Sequence, residues 1–169
     1  MLSMIVATDL DGAIGNKGDM IYHISEDLKR FKKLTTGHPV VMGRKTFESL
    51  PNQQPLKDRT NIVITRTPTI FLEQHKEKDV HAFSSVESLL RFIDTFPDEE
   101  IFIMGGAEIY KQFMPYVDKI YLTKIYDNSK EADTFINIPF DKFEMVYRGE
   151  ATIDRNIWME YKFIDYIRK

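Results

Sequence analysis

At 169 residues the chain has the length of one domain, and a chain of this size buries roughly 70% of the surface its unfolded form exposes, so its core needs no staples. A formal net charge of −3, from 23 basic and 26 acidic residues, argues against capture of nucleic acid by phosphate neutralisation. The lack of any cysteine excludes disulfides, thiolate catalysis and cysteine-type zinc sites. Four scattered histidines (His23, His38, His75, His81) form no helical ligand pair, so no metal is expected. The apolar opening from Met1 to Ala7 is too short for a signal peptide and runs into Asp9 and Asp11. No stretch reaches the ~20 apolar residues of a membrane span. The expected compartment is the cytoplasm, with no membrane or nucleic-acid partner. No large apolar stripe is left over for a partner subunit, so a monomer is expected.

In chain order, residues 2–8 read as a first strand of strand-length apolar residues. Gly12, Gly15 and Gly18 follow at a spacing of three with no helix directly after, which describes a flexible loop. With Met20-Ile21-Tyr22 behind it, that loop could close as a lid over a bound ring. Residues 25–34 have helical period, with Leu28, Phe31 and Leu34 inward and Glu26, Lys29, Arg30 and Lys33 on a solvated face. Strands at 39–42, 61–65, 80–83 and 100–104 alternate with helices at 44–50, 85–96 and 107–114. Ser85 is the expected N-cap of the helix at 85–96, and Pro115 ends the last helix. Strands alternating with helices imply a mostly parallel, doubly covered sheet. Residues 119–126, 143–149 and 156–166 then read as consecutive strands without helices between them, an antiparallel C-terminal edge. In the last of these, Ile157, Met159, Tyr161, Phe163 and Ile167 share one side, interrupted by Asp165. The expected fold is α/β: a single domain over residues 1–169, with a mostly parallel eight-stranded twisted sheet and about four flanking helices.

Asp27 is the first candidate for chemistry. Four residues before Phe31, its carboxylate stands on the inward side of the helix. Most first-turn aspartates merely complement the helix dipole, but Glu26 can do that here without facing the core. A carboxylate at the mouth of an apolar pocket suits a ligand offering two adjacent N–H donors, such as an aminopyrimidinone edge. Two strand-to-helix junctions come next. One strand, ending at Met42, runs into Gly43-Arg44-Lys45-Thr46; another, ending at Met104, runs into Gly105-Gly106-Ala107. Either glycine motif alone can be an ordinary tight turn. Together they offer a pyrophosphate cradle at the carboxyl ends of the strands, and Arg44-Lys45 adds two cations suited to a further phosphate.

These blocks, in this order, resemble dihydrofolate reductase along nearly the whole chain. The opening Ser3-Met4-Ile5-Val6-Ala7, then Ile14-Gly15-Asn16 and Asp27-Leu28-x-x-Phe31-Lys32, look like the family's first third. The run from Val41 through Gly43-Arg44-Lys45-Thr46 to Leu50 is its most specific block. Arg59 ahead of Asn61, Met104-Gly105-Gly106-Ala107 running to Tyr110, the strand around Thr123, and Asp133-Thr134-Phe135 complete the match.

The resemblance implies reduction of dihydrofolate to tetrahydrofolate by hydride from NADPH, supplying one-carbon and thymidylate metabolism. It makes Asp27 the holder of the pterin's amino group and ring N–H, assisted by Thr123, with Tyr22 of the lid as a third catalytic candidate. Ile5, Val6, Leu28, Phe31, Leu50, Leu56 and Met104 would wall the substrate, and Arg59 would grip the carboxylate of its glutamate tail. Ala7, Ile14 and Tyr110 would flank the nicotinamide, alongside Gly15, Asn16 and Met20. Gly43, Thr46, Gly105 and Gly106 would receive the pyrophosphate. Arg44, Lys45 and Arg66 would meet the extra phosphate, with Thr65, Met104, Ala107, Glu108 and Ile109 completing the cofactor contacts.

Some positions depart from the family pattern. Ile21-Tyr22 stands where the family has Pro-Trp, which predicts a less rigid lid. Ala107 and Glu108 replace residues often glycine and basic, which places a carboxylate near the phosphates and weakens the case for NADPH over NADH. Ala132 replaces a glycine, and Asn52-Gln53-Gln54 lengthens the segment ahead of Arg59. Two other readings stand beside the reductase: a pyrimidine reductase of riboflavin synthesis, and a nucleotide- or partner-binding domain without turnover.

Overall fold

Strand-length apolar runs and helix-period segments alternate as the sequence predicts, in a computed structural model that describes residues 1–169. The chain opens with β1 (Leu2–Thr8), β2 (Ala13–Asn16) and β3 (Asp19–Met20), then α1 (Ser25–Thr35), β4 (Pro39–Gly43) and α2 (Arg44–Glu48). Next come β5 (Thr60–Ile64), α3 (Pro68–Gln74), β6 (His81–Phe83) and α4 (Val86–Ile93), then β7 (Ile101–Gly105) and α5 (Ala107–Phe113). The last third holds β8 (Lys119–Ile125), β9 (Thr134–Phe135), β10 (Phe143–Arg148), β11 (Thr152–Asp154) and β12 (Met159–Arg168).

The chain divides into two compact units, Met1–Leu2 with Thr35–Tyr116 and Ser3–Leu34 with Val117–Lys169. In the first, the strands are ordered β7-β4-β5-β6, every pair parallel. Val40, Val41 and Met42 are fully buried, the continuous apolar run of a strand covered on both faces. Phe47 and Phe71 meet edge to face at 5.2 Å beneath it, a favourable aromatic geometry. Ser85 caps α4 by accepting from the backbone N–H of Ser88 at 3.1 Å, as predicted.

In the second unit the order is β10-β12-β8-β1. β1 and β8 run parallel, with Ile5 opposite Tyr121 and Ala7 opposite Thr123, while β12 runs antiparallel to both β8 and β10. A separate small sheet, β3-β2-β9, packs into the same unit. The expected eight mostly parallel strands with an antiparallel C-terminal edge hold, four strands to each unit.

Four details correct the sequence reading. There are five α-helices rather than about four; α3 opens with Pro68 in its first turn, a start signal that its two-turn length hid. The glycine run is a hairpin rather than an irregular loop, because Lys17 and Gly18 take φ of 50° and 81°, the left-handed pair that a two-residue primed turn requires. Strand β12 carries buried side chains on both faces, Tyr161 on one and Ile164 and Tyr166 on the other, while Ile167, expected on the apolar side, is 43% exposed. Finally, α1 does not bury Leu28, which is 48% exposed, and Phe31 and Leu34 are only half-buried. Arg30, placed on the solvated face by the sequence, turns inward to Asp165 instead.

Candidate active site

The predicted site residues fall into two sets, one in each unit. In the second unit, Asp27 lies half-buried in the first turn of α1, and the hydroxyl of Thr123 on β8 donates to its Oδ1 at 2.5 Å. Burial pushes the Asp27 carboxyl above the usual carboxylate range, while the Thr123 hydrogen bond and the Arg30 charge draw it partly back. Strand alternation and register put Ile5, Ala7, Tyr121 and Thr123 on one face, the face that meets Asp27. Ile5 and Ala7 are half-buried there. Val6, expected in the substrate wall, turns its side chain to the opposite face and is buried with Leu122, so only its backbone is available to a ligand. On α1, Leu28 is exposed and Phe31 half-buried. What this half offers is a hydroxyl-braced carboxylate beside apolar surface.

The hairpin that carries Ile14, Gly15, Asn16 and Met20 is tied down rather than loose. Lys17 N–H donates to Asp133 Oδ2 at 2.8 Å, and Asp133 N–H donates to the Gly15 carbonyl at 3.1 Å. The Lys17 N–H first, then the Thr134 hydroxyl, hold the Asp133 carboxyl below its usual range. Ile14, Gly15 and Asn16 lie on β2, and Met20 is exposed at the end of β3. Tyr22, a catalytic candidate, is buried with Ile24, Ile125 and Tyr161. Its hydroxyl donates to Asp127 Oδ2 at 2.8 Å and approaches Asp9 Oδ2 at 3.4 Å. Burial first, then Asp127 and Asp9, drives that phenol well above its ordinary value, and its proton is engaged by Asp127.

In the first unit the two glycine junctions come together. Gly43 and Gly106 are the N-caps of α2 and α5, and neither helix has a side-chain cap. A Cβ on Gly43 would lie 3.1 Å from Ile109 Cγ1 and 3.9 Å from Gly106 N; a Cβ on Gly106 would lie 3.5 Å from Thr46 Oγ1. Gly105 holds φ at +122°, where a side chain is strained, and a Cβ there would press on the Tyr110 ring at 3.2 Å. The Gly105–Gly106 peptide is cis, and the β4–β7 register slips at Met104. Tyr110 and Ile109 are buried, the Tyr110 hydroxyl donating to the Met104 carbonyl at 2.8 Å. Ala107 is half-buried at the start of α5. Backbone N–H groups at uncapped helix starts, lined by glycine and one threonine hydroxyl, suit a phosphate.

Arg44 meets both carboxylate oxygens of Glu48, at 2.8 and 2.9 Å, so an incoming phosphate must compete with that carboxylate. Lys45 and Arg66 are exposed, while Thr65 is buried and accepts from Thr67 N–H at 3.3 Å. Glu108 is exposed and accepts from Gln112 at 3.3 Å. Arg59 is aimed by two contacts, Nε to the Lys57 carbonyl at 2.9 Å and Nη1 to Thr35 Oγ1 at 3.1 Å. Leu50 and Leu56 are half-buried, and Asn61 braces the Leu56 backbone through both its N–H and its carbonyl at 2.9 Å. The lengthened 52–54 segment is pinned where Lys78 Nζ donates to the Gln53 carbonyl at 2.7 Å.

Sequence reasoning missed the supporting carboxylates. Asp9 accepts from the backbones of Asp11, Ala13 and Ser129, and its spacing before Gly12 was a readable turn signal. Asp165 showed itself only as the interruption of an apolar alternation.

Comparison with known proteins extends this geometry. The family model described as dihydrofolate reductase matches residues 1–168. The chain is 35% identical over 170 residues to the dihydrofolate reductase of Bacillus subtilis (strain 168), covering 100% of this chain and 95% of that protein. It is 37% identical over 168 residues to the dihydrofolate reductase of Haemophilus influenzae, covering 99% and 98%. Among solved structures it is similar, with a TM-score of 0.87 and 32% identity, to a dihydrofolate reductase from Enterococcus faecalis complexed with NADP(H) and RAB-propyl, covering 100% of this chain and 96% of that one.

Proposed function

The chain belongs to the dihydrofolate reductase family, and from that premise we propose how its residues divide the work. The reaction is reduction of dihydrofolate to tetrahydrofolate with NADPH. Asp27 anchors the pterin, its carboxylate accepting from the 2-amino group and the adjacent ring N–H, with Thr123 fixing its orientation. Ile5, Ala7, Leu28 and Phe31 supply apolar surface against flat rings, and such walls do most of the positioning that hydride transfer requires. The first unit offers apolar side chains of its own in Leu50, Leu56 and Met104. Arg59, aimed by Thr35 and the Lys57 carbonyl, takes the carboxylate of the glutamate tail.

The glycine cradle fits a dinucleotide: a Cβ at Gly43 or Gly106 would fill the space beside the helix starts that a pyrophosphate needs. Gly43, Thr46, Gly105 and Gly106 hold that pyrophosphate, and Arg44, Lys45 and Arg66 face the phosphate on the adenosine ribose. Bound NADPH supplies hydride to the pterin ring. The ring nitrogen also needs a proton, and Tyr22 is committed to Asp127. An ionised Asp27 therefore favours the protonated pterin electrostatically while water delivers the proton.

The reading rests above all on the Thr123-braced carboxylate of Asp27. A pyrimidine reductase would require neither that carboxylate nor Arg59. We further propose one functional domain, a monomer and a cytoplasmic location without nucleic-acid partners, supported by the unbroken family match, the cysteine-free composition and the acidic balance. No helix is long and apolar enough to cross a membrane.

Loss of NADPH absorbance, measured with dihydrofolate, with a ribosylated pyrimidine and without substrate, tests the assignment. Turnover with dihydrofolate alone is expected; turnover with the pyrimidine alone would overturn it. In the same assay Arg59→Ala is expected to weaken dihydrofolate binding by about 2–5 kcal/mol and to spare a pterin without the glutamate. Equal losses for both ligands would make Arg59 structural.

A further inference from the structure

The inward face of α1 carries two charges one helical turn apart, Asp27 and Arg30. Arg30 Nη2 donates to Asp165 Oδ1 at 2.7 Å, the two side chains being 18% and 13% exposed. The Arg30 guanidinium carbon lies 4.5 Å from the Phe163 ring centroid and 5.6 Å from that of Tyr121, both within cation–π range. Register explains the convergence. Thr123 stands opposite Phe163 and Tyr121 opposite Asp165 across β8 and β12, and alternation puts all four on the side that α1 covers. The hydroxyl that bonds Asp27 and the carboxylate that bonds Arg30 are thus one cross-strand pair apart. A buried ion pair is weak support for stability, since a well-packed apolar pair often does as well or better.

We propose that Arg30 is a positioning residue for the reductase reaction: clamped by Asp165 and two aromatic rings, it fixes a positive charge one turn behind Asp27 that keeps this carboxylate ionised as the pterin's anchor, and Asp165 sets how much of that charge Asp27 feels. The proposal rests on the role given to Asp27 above. The other charged or titratable groups around this face do not substitute for Arg30. On α1, Glu26 is paired with Lys29 at 3.1 Å. On β8, Lys119 Nζ sits over the Tyr121 ring at 4.4 Å, and Thr123 is neutral. On β12, Tyr161 stays neutral, its hydroxyl raised by burial and then by Glu26, Asp154 and Asp27. Arg30 is the cation that opposes the burial of Asp27.

NMR titration of the labelled Asp27 carboxyl in the ligand-free full chain tests this without relying on activity. Arg30→Gln is expected to move the titration midpoint upward. Asp165→Asn leaves the guanidinium without its neutralising partner and is expected to move the midpoint downward. Arg30→Lys, which retains the charge, is expected to stay nearer the parent than Arg30→Gln. The pH profile of kcat/KM is expected to shift in the same directions. A scaffold role predicts a different pattern, because both single variants break the same pair. Shifts of the same sign, or no shift in either, overturn the proposal. If Arg30→Gln does not fold, an unmoved or raised midpoint in Asp165→Asn does so alone. Full turnover by Asp27→Asn would remove the anchor reading, while the titration would still decide whether Arg30 governs the charge of Asp27.

Discussion

At the scale of single residues, the site sets burial against charge. In the role proposed for it Asp27 must be ionised to hold a pair of N–H donors, yet its surroundings favour the protonated form. An acid whose folded-state value is raised binds its proton longer in the native state than in the unfolded one. Stability then falls as pH rises from the unfolded value, about 3.9, through the raised folded value, and the whole deficit is present above both. Asp27→Asn is therefore expected to raise Tm at neutral pH, with the gain vanishing at about pH 3, below the unfolded value. Thermal unfolding at the two pH values checks this; a lower Tm at neutral pH would show that the carboxylate stabilises the fold. The position of Asp27 was legible from its spacing to Phe31. Its neighbour Arg30 was not, because a helical wheel assigns charge to solvent and cannot know that β12 places Asp165 beneath it.

At the scale of elements, the replacement of Pro-Trp by Ile21-Tyr22 takes on a different meaning from the loosened lid that the sequence suggests. The Tyr22 hydroxyl joins the segment after β3 to Asp127 and Asp9, and Asp133 holds the hairpin turn from its other end. A phenol's single hydrogen rotates and can serve either carboxylate, whereas an indole N–H is fixed in its ring plane. Tyr22→Phe removes that donor from buried acceptors and is expected to destabilise by about 1–3 kcal/mol, with faster amide exchange at Lys17 and Met20. Unchanged exchange in that hairpin would show that the hydroxyl does not restrain it. The hairpin was hidden from the sequence because glycines at a spacing of three suggest looseness; the informative pair was Lys17-Gly18 between two short strands. Helix α3 was hidden by its brevity, since two turns leave little periodicity to read.

At the scale of the whole chain, the alternation of strands and helices was legible because burial on both faces demands continuous apolar runs, and β4, β5 and β7 supply them. The burial of Ile164 and Tyr166 on the second face of β12 was not, because what packs on that face depends on contacts far apart in sequence. The two glycine junctions were legible as strand-to-helix turns, but their proximity, seen in the approach of Gly43 to Gly106, is a tertiary fact. The proposed reaction asks the half-buried carboxylate of Asp27 to favour a protonated pterin. The most direct measurement is the steady-state rate of NADPH oxidation with dihydrofolate, for the native chain and Asp27→Asn, across pH. A fall of about 10²–10⁴-fold in the variant is expected, the range for groups that take part in acid–base steps; a variant that keeps near-native rates at every pH would contradict the role assigned to Asp27.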